Sequence, residues 1–226
     1  MNVALVLAGG AGTRLGAEIP KQYIEVLGKP IISYCMETLT SHEDIDAIYV
    51  VADEKWHKFI KDNVPFSKVR GFVVPGNSRQ LSIYNGLEAM KGKVSDDDVV
   101  LIHDAARPML SKELISACLS SIEGHDGVLP VIPMKDTLYM SENNKNISSL
   151  LDRNKIFAGQ APEAFVFGEY YKANKDLLPD DIMKINGSTE PAVIAGLDII
   201  MISGDESNIK ITTAEDLNFF KKSAEG

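Results

Sequence analysis

Two cations stand beside a glycine-rich stretch near the N-terminus. Arg14 lies inside AGGAGTRLG (residues 8–16), and Lys21 lies just beyond it in PKQY. Glycine lets backbone N–H groups approach an anion closely, while Arg offers a planar fork and Lys a point charge. This set suits a phosphoryl group. Phosphoryl and nucleotidyl transfer ask little covalent chemistry of a protein; they need positioning, and positive charge where negative charge develops. The commoner uses of a glycine loop do not match. No GxxxxGK[ST] occurs, and from Gly10 and Gly12 the third glycine of a dinucleotide fingerprint would fall at Leu15. Asp53, after the second strand candidate, keeps a nicotinamide-dependent reductase in view. A tight turn with an incidental Arg is the plain structural alternative.

Other candidates lie downstream. Asp104 follows the apolar run VVLIH and would emerge at the end of a buried strand. There it could hold Mg²⁺, which takes one or two carboxylates together with phosphate oxygens and water; it could equally cap the next turn. His103 alternates to the opposite face and reads as a core histidine. Arg107, before Pro108, is as readily structural as functional. Ser82, near the start of a helix behind a Gly-rich turn, could cap that helix or bond a nucleotide. Lys210 lies in NIKIT, an alternating strand candidate with Asn208, Lys210 and Thr212 on one face. No Ser-His-Asp or Cys-His arrangement is readable, so covalent catalysis has no candidate.

The elements that must position these residues alternate along the chain. Val3–Leu7, Ile48–Val51, Gly71–Val74, Val99–His103 and Gly127–Ile132 read as strands. Helical patterns run over Ile31–Leu39, Lys55–Asn63, Gln80–Met90 and onward from Ser111. This alternation predicts an α/β fold: a mostly parallel twisted sheet with helices on both faces. Ligands of such sheets sit beyond the carboxyl ends of the strands. The segments there, AGGAGTRLG, PGNSRQLS and DAARP, are the most polar, Gly-rich and Arg-bearing exits in the chain. From Met134 to Ala161 the pattern changes to a protruding hairpin arm with Asn143 and Asn144 near its tip. A two-stranded arm is marginal alone and needs the body or a partner subunit to pack on. Later segments read as helices around Phe167–Leu177 and Pro191–Ala195, a strand at Asp198–Ser203, and a final helix.

At 226 residues the chain suits one domain, residues 1–226, with 134–161 as its arm. A net charge of −9 with no basic block argues against nucleic acid. No basic leader and no apolar run near ~18 residues is present, so neither a membrane partner nor secretion is expected. Cys35 and Cys118 sit in apolar helical patterns without metal-ligand spacing, as buried thiols in a reducing compartment would. A cytoplasmic location follows as the default.

Taken together, LAGGAGTRLG, PKQY, GNSRQLSIYNGL, IHDAARP, KDT, DRNKIFAGQAPEAF and NIKITTAEDL resemble one family. It is the cytidylyltransferase family that includes the 2-C-methyl-D-erythritol 4-phosphate and ribitol-5-phosphate enzymes. The matches span nearly the whole chain, although AGG-x-G-x-R alone marks a wider group of sugar-phosphate nucleotidyltransferases. The resemblance implies a Rossmann-like nucleotidyltransferase fold and transfer of CMP from CTP to a polyol phosphate, with Mg²⁺ and release of pyrophosphate. It implies that Leu7, Ala8, Gly9, Gly10, the segment from Gly76 to Ser82, and Asp104, Ala105, Ala106 and Arg107 surround CTP. Asp104 would hold the metal. Arg14 and Lys21 match the family's transition-state stabilisers, and Arg153 and Lys210 the residues that position the acceptor phosphate. In such enzymes the arm swaps across a homodimer, so Thr137 and Arg153 would serve the neighbour's site.

The acceptor end departs from the methylerythritol pattern. That branch usually reads QTPQ where this chain has Gln160-Ala161-Pro162-Glu163, and a TDEAS-like segment where it has Asn186-Gly187-Ser188-Thr189-Glu190-Pro191. A missing hydroxyl at Ala161 and an added acid at Glu163 would change contacts near the acceptor, and favour ribitol 5-phosphate over methylerythritol phosphate. A nucleotidyltransferase for another nucleotide or sugar phosphate, and a nucleotide-binding module without activity, are the other readings.

Overall fold

A computed structural model describes residues 1–10 and 19–225. Arg14 and the rest of the first loop, residues 11–18, lie outside the described residues. The strands among them are β1 (Asn2–Leu7), β2 (Glu25–Val26), β3 (Lys29–Pro30), β4 (Ala47–Val51), β5 (Val69–Val73), β6 (Val99–Asp104), β7 (Gly127–Pro133), β8 (Leu138–Met140), β9 (Ser149–Leu151), β10 (Phe157–Gly159), β11 (Glu163–Val166) and β12 (Ile199–Ser203). The helices are α1 (Ile31–Ser41), α2 (Glu54–Asn63), α3 (Arg79–Met90), α4 (Lys112–Ser121), α5 (Phe167–Lys175), α6 (Glu190–Ile194) and α7 (Ala214–Ala224).

The main sheet runs β10-β7-β11-β6-β1-β4-β5, with β12 beside β7. β6, β1, β4 and β5 pair in parallel. β1, β4 and the body of β6 are apolar on both faces because both faces are covered, while the edge strand β5 exposes Arg70. In β1, Ala4 and Val6 pack with α1 and α4 residues such as Cys35, Leu39 and Ile115. Val3 and Leu5 pack on the other face with Ile83 and Leu87 of α3. Burying one such aliphatic side chain contributes roughly 1.5–3 kcal/mol. A smaller cluster, with Val26, Ile31, Ile211 and Phe220, seats α7 beside the β2–β3 hairpin.

β11 departs from the parallel pattern. It runs antiparallel between β6 and β7, and β10 continues antiparallel along β7. The return limb of the arm is therefore part of the main sheet from Phe157 onward. The separate ribbon is β8–β9, closed around Asn143 and Asn144. The expected strand over Asn208–Thr212 is not formed. Asn208 and Ile209 N–H turn back on Asp205 O and Ser207 O, and among the described residues Ile211 N–H to Ala106 O (2.8 Å) is the backbone bond that ties the segment to the sheet rim. Strict alternation fails as well, since Asn208 and Ile211 are both buried while Lys210 is half-buried.

No helix among the described residues is long and apolar enough to cross a membrane. The antiparallel insert is fastened by Phe165, fully buried and stacked on Tyr170 at 3.9 Å between centroids. Phe165→Ala is expected to lower unfolding stability by about 3–5 kcal/mol in urea titrations. A loss under 1 kcal/mol would show that the insert is held by its strand pairing alone.

Candidate active site

The three polar strand exits meet in one cleft of about 420 Å³. Leu7, Gly9 and Gly10 line it from β1, Gly76 to Arg79 and Ser82 from the β5–α3 turn, and Asp104 and Ala106 from β6. Lys21, Lys210 and Thr212 complete it. This is where a doubly wound sheet binds ligands.

The first exit is clamped from behind. Gln22 Nε2 donates to Ala8 O (2.6 Å) and Gly10 O (2.9 Å), and Tyr23 Oη donates to Ala8 O (2.9 Å). Gly9 lies so close to Pro75 that a Cβ there would come within 2.6 Å of the proline ring. The β1 and β5 exits thus touch, which only glycine permits. In the second exit Ser78, not Ser82, caps α3 by accepting from Leu81 N–H (3.1 Å). Ser82 accepts from Gly76 N–H (3.0 Å) and donates to Ser78 O (2.8 Å), so it braces the turn and still lines the cleft.

Asp104 is the electrostatic centre. Its carboxylate meets Lys210 Nζ at 2.9 Å, Arg79 Nη2 at 3.1 Å and Arg107 Nε at 3.7 Å. Burial disfavours its charge, but the three cations outweigh burial and hold it well below the usual carboxylate range. Arg107 also donates to Asn208 O (2.7 Å), and Arg79 to Ser188 Oγ (2.8 Å). Lys21 Nζ donates to Ile211 O (2.5 Å), tying the first loop's cation to the C-terminal segment that carries Lys210.

Other expected site residues stand elsewhere. Ala8 and Ala105 are buried and contribute backbone: Ala105 N–H bonds Leu7 O (3.1 Å). Ala161 is buried and does not line the cleft; its carbonyl accepts from Asn208 Nδ2 (2.8 Å). Glu163 is buried behind the cluster, where burial raises its carboxyl and Arg79 opposes that rise. Thr137 and Arg153 share a shallow groove on the arm and are not part of this chain's cleft. Residues missed by sequence reasoning include Gln22, Tyr23 and Arg79 as individual contributors. The PKQY and GNSRQLS motifs held them, but only the fold reveals which atoms they grip.

Among the described residues no three His, Cys, Asp or Glu side chains gather as a metal site. Asp104 is an ionised carboxylate lining the cleft, the group that would hold Mg²⁺; since Arg79, Arg107 and Lys210 already engage both its oxygens, the ion would have to displace one of these contacts.

A sheet exit of glycine backbone, convergent cations and one ionised carboxylate defines a nucleotidyltransferase-type site. The sequence profile of the IspD family, 2-C-methyl-D-erythritol 4-phosphate cytidylyltransferase, matches residues 2–222. The chain belongs to this family and is a cytidylyltransferase. It is 32% identical over 225 residues to a ribitol-5-phosphate cytidylyltransferase of Streptococcus agalactiae serotype III (98% of this chain, 94% of the relative). It is 36% identical over 222 residues to a 2-C-methyl-D-erythritol 4-phosphate cytidylyltransferase of Clostridium tetani (96% of this chain, 88% of the relative). A solved 4-diphosphocytidyl-2C-methyl-D-erythritol synthase from Anaerococcus prevotii shares the fold, with TM-score 0.85 and 24% identity over 100% of this chain and 96% of that one.

His103, fully buried beside this cluster, bonds Arg107 O through Nε2 (3.1 Å). Burial pushes its imidazole down to about 4. The unfolded chain then binds a proton that the folded one refuses between about pH 6.5 and 4, so stability falls as pH drops through that window. Urea titrations should show roughly 3 kcal/mol of acid loss that His103→Asn abolishes. Equal pH slopes in both proteins would contradict a neutral buried imidazole.

Proposed function

We propose that the protein transfers CMP from CTP to ribitol 5-phosphate, forming CDP-ribitol and releasing pyrophosphate. The observation that carries cytidylyl transfer to a phosphate acceptor is the convergence of Lys21, Lys210, Arg79 and Asp104 on one glycine-walled cleft. In this reading the first loop and the Gly76–Ser82 turn hold the triphosphate through backbone N–H groups. The acceptor's phosphate oxygen attacks the α-phosphorus in line, and the bond to the bridging oxygen of pyrophosphate breaks. Arg14 and Lys21 offset negative charge as it moves toward pyrophosphate. Lys210, with Arg153, holds the acceptor phosphate and lowers the entropic cost of bringing two anions together. Asp104 would hold Mg²⁺, which supplies charge neutralisation on the phosphate oxygens when bound.

The acceptor is the finer step. Ribitol 5-phosphate is supported by the departures at Ala161, Glu163 and Asn186–Pro191, and by relatives of that name at 32–33% identity. The family profile's own name and relatives at 34–36% identity favour a second reading, 2-C-methyl-D-erythritol 4-phosphate. Since Ala161 and Glu163 are buried, their influence on the acceptor would pass through the residues they support. CTP use and two buried free thiols fit a cytoplasmic enzyme.

A homodimer built through the arm belongs to this proposal. Tyr139, Ile147 and Leu150 are 57%, 67% and 67% exposed on the isolated chain, too much apolar surface for a small free ribbon. Thr137 and Arg153 would then face the partner's cleft.

Three outcomes test the reading. Pyrophosphate release with CTP and Mg²⁺ should be faster with ribitol 5-phosphate than with 2-C-methyl-D-erythritol 4-phosphate; the reverse order would reassign the acceptor. Lys21→Ala should lower kcat by about 10²–10³-fold while the KM for CTP moves less than about threefold. Normal turnover would remove Lys21 from the transition state. Lys21→Ala and Arg153→Ala proteins, each weak alone, should recover about a quarter of wild-type activity when their subunits are mixed, because half the dimers are hybrids with one intact site. No recovery would mean that each subunit uses its own Arg153.

A further inference from the structure

Lys210 lies on a segment that is not a strand, so side chains must add to the Ile211 N–H to Ala106 O bond in fixing its position. One fastening is Gln160, which stands outside the cleft at the break between β10 and β11. Its backbone N–H bonds Pro130 O (2.8 Å), which fixes the residue to β7. The residue is 6% exposed. Nε2 donates to Asp205 O (2.8 Å) and to Asn208 O (3.4 Å), while Oε1 accepts from Asp205 N–H (3.0 Å). The amide thus pairs with both main-chain groups of Asp205, as a neighbouring strand would. Gly204 permits the approach, since a Cβ there would lie 3.0 Å from Gln160 Oε1. Asn208 N–H closes the turn on Asp205 O (3.0 Å), and two residues later Lys210 reaches Asp104.

We infer that Gln160 is a positioning residue for Lys210: its side-chain amide stands in for a missing strand and sets where the Lys210 ammonium meets the acceptor phosphate. Arg107 and Ala106 of the β6 exit and Lys21 also grip this segment, and Asn208 donates to Ala161 O beside Gln160. Gln160 reaches it from the β7 side, and it alone satisfies both polar groups of Asp205. Without it Asp205 N–H loses its partner, Asp205 O is left with the Asn208 N–H bond, and the 205–210 segment can shift. A displacement of about 1 Å at a positioning group costs on the order of 10²-fold in rate. The inference rests on the reading of Lys210 as an acceptor-phosphate residue, and the test separates the two.

Gln160→Met keeps the side-chain length and removes all three bonds. Its steady-state kinetics are compared with Lys210→Ala and with the double variant, using CTP and whichever of the two polyol phosphates turns over. The expected result is that Gln160→Met raises the acceptor KM about 10–100-fold, leaves the KM for CTP within about threefold, and adds nothing to Lys210→Ala in the double variant. An effect fully additive with that of Lys210→Ala, or unchanged kinetics with only a lowered Tm, would overturn it. If Lys210→Ala instead raises the KM for CTP, the acceptor reading of Lys210 fails; Gln160 must then raise that same KM, and the inference falls if it does not. Gln160→Glu supplies a second check independent of folding losses. A protonated carboxyl can still donate to Asp205 O and accept from its N–H, whereas the ionised form cannot donate. Its kcat/KM for the acceptor, taken relative to wild type, should therefore rise as pH falls from 8.5 to 6. A flat ratio across that range would contradict the pairing.

Discussion

One carboxylate makes the cleft possible. Asp104 gathers Arg79, Arg107 and Lys210, which arrive from the start of α3, the turn after β6 and the segment before α7. Three cations converging without a counter-charge would repel one another in a poorly hydrated setting. With Asp104 ionised they can be held close together, and Glu163 behind them offsets part of the remaining charge. The carboxylate is therefore both a candidate metal ligand and the joint of the site. Because its charge is held by neighbours rather than by exposure, each neighbour is also fixed in place. The cations share one carboxylate, so positive charge is left facing the cleft, and a triphosphate meets it on a chain whose overall charge is −9.

The first loop depends on a different device. Ala8 O and Gly10 O are gripped by Gln22 and Tyr23, which lie after the loop in sequence. Tyr23 is buried and stacked on Trp56 of α2 at 4.2 Å. The loop's entrance is thus anchored to the helix layer as well as to the sheet, where Ala8 N–H bonds Val51 O (2.8 Å). Lys21, between the loop and this anchor, bonds Ile211 O. The two ends of the chain are joined across the cleft, and the spacing of Lys21 and Lys210 follows from that junction.

Much of this was legible beforehand for identifiable reasons. β1, β4 and β6 announce themselves because strands covered on both faces are uninterrupted apolar runs. The exits after β1, β5 and β6 were found because glycine and Arg are conspicuous beside such runs. β11 was hidden: EAFV is short, follows a proline and is antiparallel, so neither length nor periodicity separates it from the arm. Residues 208–212 failed in the opposite way. Their alternation suggested a strand, but a strand needs a free edge beside it, and here the β6 exit has already turned away. Gln160, Gln22 and Arg79 were invisible as individuals because a side chain that holds backbone carries no periodic signal.

The same distinction bears on what selects the acceptor. Of the positions where this chain departs from the methylerythritol pattern, Ala161, Glu163, Ser188 and Pro191 are buried, while Asn186 and Gly187 are exposed. Ser188 Oγ accepts from Arg79, and Asn208 donates to Ala161 O. Ser188 thus lies one bond behind a cation of the Asp104 cluster, and Ala161 one bond behind the turn that carries Lys210. A pocket that changes acceptors by exposed contacts would vary at its lining. Under the proposed reading, the buried part of the variation, a missing hydroxyl or an added carboxyl, would change how a cation is held while its identity stays the same. Selectivity between a linear pentitol phosphate and a branched tetritol phosphate would then depend in part on where the phosphate is fixed relative to the α-phosphorus of CTP.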